Sequence, residues 1–152
     1  MNAVDVAAWS GSWAWGLPLI MLTVVTHVCG LGPIHERVVH VLGGLERRSF
    51  MPKFAVVMSV TALLATTLHA LEGALWGTAY RFLSALPDFK SAMLYSLSAM
   101  TSYGHANLYL AAHWQMMGAL EALNGMLLFG LTTAFLFAMI QSVWPVGIRQ
   151  QR

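Results

Sequence analysis

Three long apolar runs constrain this chain more than any other feature of its sequence. They cover residues 13–31, 54–80 and 115–144, and the charged or imidazole side chains inside them are His27, His69, Glu72 and Glu121. Because a bilayer core of about 30 Å takes roughly 20 helical residues, each run is long enough to cross it. The chain is 58% hydrophobic and 9% charged, which leaves too little polar surface for a soluble domain. The sequence therefore predicts an all-α membrane protein with three transmembrane helices.

The basic residues are concentrated at one end of these predicted helices. Those of the first link and the tail are Arg37, Arg47, Arg48, Lys53, Arg149 and Arg152, whereas residues 81–114 hold only Arg81 and Lys90. The positive-inside rule then places the N-terminus outside and the C-terminus in the cytoplasm. We expect an integral protein of a bacterial inner (plasma) membrane. A net charge of +2 is too small to indicate binding to nucleic acid.

The first link has apolar residues at helical spacing over residues 33–45. This pattern predicts a short interfacial helix that ends near Gly43 and Gly44. We therefore divide the chain into an N-terminal helix with a cytoplasmic amphipathic linker (1–53), a central unit (54–144) and a cytoplasmic tail (145–152).

The segment between the second and third runs is too apolar for an ordinary loop and too interrupted to cross the membrane. Asp88 follows Pro87 and is a candidate N-cap for a helix over residues 89–100. A helix of that length spans only about half of a bilayer. The sequence therefore predicts a re-entrant half-helix, followed by an extended loop over 101–105 that returns to the side of entry.

Two strings in the central unit resemble the potassium-channel family of pore-loop cation channels. Residues 95–104, YSLSAMTSYG, resemble the pore helix and selectivity filter, and residues 120–137, LEALNGMLLFGLTTAFLF, resemble the inner helix with its mid-span glycine, Gly125. The resemblance covers roughly 54–143. It implies an outer helix from residue 54, a pore helix over about 88–100, a filter loop over 101–105 and an inner helix over about 115–144. It also implies a homotetramer in the lipid bilayer that conducts monovalent cations, with K⁺ as the permeant ion and no bound cofactor.

The filter departs from the pattern of that family, which is Thr, any residue, Gly, Tyr, Gly, then Asp. The residues here are Thr101, Ser102, Tyr103, Gly104 and His105. Either one residue is missing, or Ser102 stands in the place of the first glycine. Because fewer carbonyl layers replace the water of the ion, we expect weaker discrimination of potassium from sodium, or no conduction. His105 at the outer mouth is either a proton-sensitive group or an idle exposed ring.

Glu121, Gly125, Leu128 and Thr132 share one face of the third predicted helix. Glu121 either faces the ion cavity and attracts cations, or accepts hydrogen bonds behind the filter, which we expect because a buried carboxylate needs partners. Gly125 is either a gating hinge or a small residue that permits close helix packing.

His69 and Glu72 are three residues apart on the second predicted helix. One such pair supplies two ligands, so we expect mutual hydrogen bonding and no metal site. A membrane haem or quinone protein is an alternative class, since two facing imidazoles can hold iron. The depths of His27, His69 and His113 in the predicted helices allow only His69 and His113 to meet.

Catalysis has no support in this sequence. A nucleophile, a base and an orienting group do not occur together at a recognisable spacing, so we predict no catalytic residues and a protein that is not an enzyme. The single cysteine, Cys29, excludes an intrachain disulfide. A further alternative is a relative of the channels that does not conduct and has a sensing or structural role.

Overall fold

The computed structural model describes residues 3–42, 47–104 and 107–143. In these residues the chain is helical and without strands. Its elements are α1 (Ala3–Leu42), α2 (Arg47–Phe82), α3 (Phe89–Met100), a 3-10 turn (Ala112–Trp114) and α4 (Gln115–Val143). Three segments are long and apolar enough to cross a membrane, namely Ala8–Leu42, Phe50–Phe82 and Ala112–Val143. The prediction of an all-α protein with three membrane-length helices is confirmed.

Helix α1 is longer than the sequence predicts. It continues through Pro18 and Pro33 and ends at Leu42, so the prediction of a separate interfacial helix from residue 33 was wrong. The reason is tertiary packing, because Val38 and Leu42 are buried in an apolar cluster with residues of α2 and α4. Val38 and Leu42 thus face the other helices. The predicted break at residues 43–44 lies outside the described residues.

The three long helices pack side by side. Helices α1 and α4 run parallel, since Thr23 contacts Asn124 and, further along both, Leu42 shares an apolar cluster with Val143. Helix α2 runs antiparallel to both, and Phe50 at its start belongs to the same cluster. A Cβ atom added at Gly30 of α1 would lie 2.9 Å from a Leu68 side-chain carbon.

Helix α3 begins where the sequence predicts. The Asp88 side chain accepts a hydrogen bond of 2.9 Å from the Ser91 backbone N–H, which confirms Asp88 as the N-cap of a helix over Phe89–Met100. This bond and a second one from the Ser91 hydroxyl, at 2.8 Å, hold the pKa of Asp88 below its usual value, because they stabilise the charged carboxylate.

Helix α3 packs between α2 and α4, against a core that includes Trp76, Tyr80 and Leu120. At Gly77 of α2 the backbone of α3 approaches so closely that an added Cβ would lie 3.4 Å from Met93 Cα. The chain then comes back towards its starting point, because the Ala111 N–H donates to the Ala85 carbonyl oxygen at 3.3 Å.

Candidate functional site

The C-terminus of α3 packs directly against Gly125 of α4. A Cβ atom added at Gly125 would overlap the Met100 carbonyl oxygen and lie 2.6 Å from Met100 Cα. Gly125 lies ten positions after Gln115, the first residue of α4, which is about 15 Å of helix. The end of α3 thus lies well inside the length of α4. This contact needs a small residue, whereas bending at Gly125 stays a prediction.

The predicted filter begins as the C-terminal cap of α3. The Ser102 N–H donates to the Ala99 carbonyl at 3.1 Å and the Tyr103 N–H to the Ser98 carbonyl at 3.0 Å, the bonding pattern of a Schellman motif. Ser102 therefore has a left-handed backbone with φ of 55°, which glycine adopts more readily. Thr101 keeps a helical backbone with φ of −88° and ψ of −2°.

The remainder of the predicted filter turns away from the helix cap. Gly104 also has a positive φ, 96°, and a Cβ added there would meet nothing within 4 Å. The Tyr103 side chain is 86% exposed on this single chain. His105, the predicted outer-mouth residue, lies outside the described residues. The role of residues 101–105 in conduction stays a prediction.

A first polar cluster surrounds Glu121 and joins α2, α3 and α4. Glu121 is fully buried; Tyr80 Oη donates to its Oε2 at 2.6 Å, and Ser96 Oγ donates to its Oε1. Ser96 Oγ also lies 2.7 Å from the Gly73 carbonyl oxygen. Both carboxylate oxygens thus have a hydroxyl partner, one of them on α3. We call Glu121, Tyr80 and Ser96 the hydroxyl cluster.

A second polar cluster joins α1, α2 and α4 through a closed ring of four side chains. His27 Nδ1 lies 2.8 Å from Glu72 Oε1, and His69 Nδ1 lies 3.1 Å from Glu72 Oε2. The Nε2 atoms of both imidazoles lie 3.0 Å from Thr132 Oγ1. We call His27, His69, Glu72 and Thr132 the imidazole cluster.

The prediction that depth keeps His27 away from His69 was wrong. Their ring centroids are 5.1 Å apart. The prediction treated residue 31 as the end of the first helix, whereas α1 continues to Leu42. His27 consequently lies near the middle of its membrane-length segment, at the depth of His69 and Glu72. His113 is exposed on the described part of the chain and its ring lies 5.3 Å from that of Trp114.

The imidazole cluster can offer three ligand atoms to a metal ion. One ligand atom each from His27, His69 and Glu72 lie within 4.8 Å of one another. His69 Nδ1 and Glu72 Oε2 form no hydrogen bond with any residue that the structure describes, although they are 3.1 Å apart. Their separation is suitable but their alignment is not, and the geometry leaves a buried carboxylate oxygen free.

Sequence reasoning missed the contributions of His27 and Thr132 to this cluster. The available signal was helical spacing on α1, where Ser12, Gly16, Thr23 and His27 recur on one face. Ser12 Oγ donates to the His113 carbonyl at 3.4 Å, and Asn124 Nδ2 donates to Thr23 Oγ1 at 2.8 Å. A polar stripe within an apolar helix indicates contact with another helix. This stripe pairs α1 with α4.

Comparisons of this chain with protein-family models, with curated proteins and with solved structures find no match.

Proposed function

We propose that the chain is a subunit of a pore-loop cation channel that conducts passively through a central pore formed by four copies. The observation that carries the proposal is the position of α3. Its C-terminus lies against Gly125, well inside the length of α4, while Ala111 returns to bond with Ala85. A half-helix that enters the membrane and a loop that returns to the same side account for both contacts.

The direction of α3 favours a cation over an anion. The carbonyl end of a helix carries a partial negative charge, and this end is at Met100. In a tetramer with the loops around the axis, four such ends would face a cation in the cavity. The backbone oxygens of residues 101–104 would replace part of the hydration shell. We propose K⁺ or Na⁺ as the permeant ion, with weak discrimination between them.

The exposed face of α4 supports an assembly of several chains. Leu123 and Leu127 are each 58% exposed and Phe137 is 62% exposed. These side chains point away from the contacts of α4 with the other helices of its own chain. In the proposed tetramer this apolar face lines the cavity or contacts the neighbouring copy. The basic residues of the first link and the tail support an orientation with the N-terminus of each copy outside the cell.

A relative that keeps the pore fold without conducting is the second candidate. The observation in its favour is the cap geometry of Thr101, Ser102 and Tyr103. Filter residues must present successive carbonyl oxygens to the axis, whereas the N–H groups of these residues bond back to α3. In this candidate the half-helix serves sensing or association.

Ion flux from proteoliposomes separates the two candidates. We expect purified protein to release K⁺ and Na⁺ down their gradients at comparable rates, and the detergent-solubilised particle to have the mass of four chains. Gly104→Ala should reduce flux strongly, because an alanine resists a φ of 96°. Gly32→Ala on α1 is the control. A Cβ added at Gly32 also meets nothing within 4 Å, and Gly32 lies outside the loop.

The outcomes of this measurement are distinct. A tetrameric particle without flux would contradict the channel and favour the non-conducting candidate. A monomeric particle would contradict both. If the channel conducts, His105→Ala should flatten the dependence of flux on pH between about pH 5 and pH 8. Identical curves for wild type and variant would show that His105 is an idle ring.

A further inference from the structure

When no ion is bound and both imidazoles are neutral, the imidazole cluster has one hydrogen too few for hydrogen bonds at all of its contacts. The ring of side chains has four contacts, namely those of Nδ1 with Glu72, at 2.8 Å for His27 and 3.1 Å for His69, and those of both Nε2 atoms with Thr132 Oγ1. Each neutral imidazole carries one hydrogen, and the contact of His69 Nδ1 with Glu72 Oε2 forms no hydrogen bond. One hydroxyl donates one hydrogen. One buried acceptor would stay without a donor, which is costly in an apolar interior.

A metal ion bound at the two Nδ1 atoms removes this conflict. The hydrogen of each ring then resides on Nε2, and both rings donate to Thr132 Oγ1, whose two lone pairs accept both bonds. Metal-binding histidines commonly donate their second ring nitrogen to a fixed oxygen in this way. The two equal distances of 3.0 Å from Thr132 to His27 and His69 fit this arrangement.

The donor set defines the class of ion. Two imidazole nitrogens and one carboxylate suit zinc and neighbouring transition metals, whereas Mg²⁺ and Ca²⁺ prefer sets of oxygen ligands. Donors around a tetrahedral zinc ion are about 3.3 Å apart, given bonds of about 2.0 Å. His69 Nδ1 and Glu72 Oε2, at 3.1 Å, are close to that spacing, and the Glu72 side chain is fully buried.

We propose that His27, His69 and Glu72 bind one divalent transition-metal ion per chain, with Zn²⁺ as the representative ion. The ion joins α1 to α2 across 45 residues of sequence, and Thr132 of α4 orients both imidazoles. Its carboxylate ligand offsets one of the two positive charges, and a fourth position stays open for water. Because the three ligands converge only in the folded chain, the metal stabilises the fold by mass action. The proposal does not depend on conduction.

Metal content and a spectroscopic probe test the proposal on the full chain in detergent. After removal of metal with a chelator, we expect one Zn²⁺ to rebind per chain and the midpoint of thermal unfolding to rise with zinc concentration. Co²⁺ should bind in its place and give the visible absorption of a four-coordinate site with nitrogen and oxygen ligands. Glu72→Gln and His27→Gln should weaken binding by more than about 100-fold.

Matched variants separate a metal site from a purely structural ring. Thr132→Val keeps all three ligands and should weaken zinc binding by about 10- to 100-fold while retaining the cobalt spectrum. Its neighbour Thr133, which bonds to the Phe129 carbonyl of its own helix, should tolerate Thr133→Val without change. His113→Gln is the control for loss of an imidazole. Circular dichroism and elution volume identify variants that do not fold.

Two results would overturn the proposal. One is the failure of wild-type protein to bind zinc or cobalt at one ion per chain. The other is zinc binding that folded Glu72→Gln protein retains at full affinity. In either case the cluster holds a shared proton or no ion, and the channel proposal is unaffected.

Discussion

The chain buries one glutamate in each of two polar clusters, and the partners of the two carboxylates differ. In the hydroxyl cluster, Glu121 receives hydrogen bonds from Tyr80 and Ser96, one on each oxygen. In the imidazole cluster, Glu72 faces His27 and His69, and its Oε2 has no hydrogen bond within the described residues. Both glutamates are fully buried. Each carboxylate oxygen of Glu121 therefore has a hydrogen-bond partner, whereas one oxygen of Glu72 has none among the described residues.

This difference shows that the partners of a buried carboxylate determine what it can do. The two hydroxyls donate to the Glu121 carboxylate, one to each oxygen, and so join α3 to α2 and α4. Imidazoles either donate or bind a metal through a lone pair. Glu72 therefore belongs to the proposed cation site, whereas Glu121 holds α3 in place.

The largest expected effect is the loss of the Glu121 carboxylate. Glu121→Ala removes two hydrogen bonds and leaves the buried Tyr80 hydroxyl without its acceptor, whereas Ser96 retains the Gly73 carbonyl, so we expect about 3 kcal/mol of destabilisation. Glu72→Ala in metal-free protein should cost about half as much, because only one short hydrogen bond is lost. Unfolding in mixed detergent, followed by tryptophan fluorescence, measures both. Equal destabilisation by Glu121→Ala and Glu72→Ala would contradict the difference between the two clusters. Glu36→Ala on the exposed face of α1 is the control.

The second effect concerns the contact between α3 and α4. Gly125→Ala places a methyl group against backbone atoms of Met100, which cannot rotate away, and we expect a loss of about 2 kcal/mol. Gly130→Ala on the same helix is the matched control, because a Cβ there meets nothing within 4 Å. It should be neutral or slightly stabilising, since alanine favours helix. Similar unfolding midpoints for both variants would place the end of α3 away from Gly125.

The third effect concerns Thr132, the hydroxyl residue of the imidazole cluster. Thr132→Val removes the hydroxyl between two imidazoles, and we expect about 1 kcal/mol of destabilisation, near the upper values for hydrogen bonds between membrane helices. Thr133→Val should change the free energy of unfolding by less than about 0.5 kcal/mol, because its hydroxyl is exposed and bonds within its own helix. Equal costs for the two variants would show that Thr132 does not join the rings.

The smallest effect is at the cap of α3. Ser102 has a left-handed backbone, so Ser102→Gly should stabilise the fold by about 1 kcal/mol. Ser59 lies on an exposed face inside α2, and Ser59→Gly should destabilise by about 0.5 kcal/mol. The same unfolding measurement shows whether the two variants change the free energy of unfolding in opposite directions. Destabilisation by Ser102→Gly would show that the loop does not adopt this cap.

The sequence predicts helices well here because their determinants are local. The apolar runs follow from composition, and Asp88 and Phe89–Met100 from a capping residue that acts within one turn. The length of α1 depends on long-range packing of Val38 and Leu42, which periodicity alone does not reveal. The imidazole cluster was missed for the same reason, since an error in the end of one helix misplaced the depth of His27. The conducting role of residues 101–105 stays a prediction.

The most direct test of the proposed re-entrant segment is the accessibility of single cysteines to a membrane-impermeant thiol reagent. In a Cys29→Ser background, cysteines replace Ser84 before α3, Asn107 after it, and Lys53 near the start of α2. In sealed right-side-out vesicles, we expect Ser84→Cys and Asn107→Cys to react together. Lys53→Cys should react only after the vesicles are opened. Reaction of Ser84→Cys and Asn107→Cys from opposite sides would show a complete crossing and would contradict the pore-loop architecture.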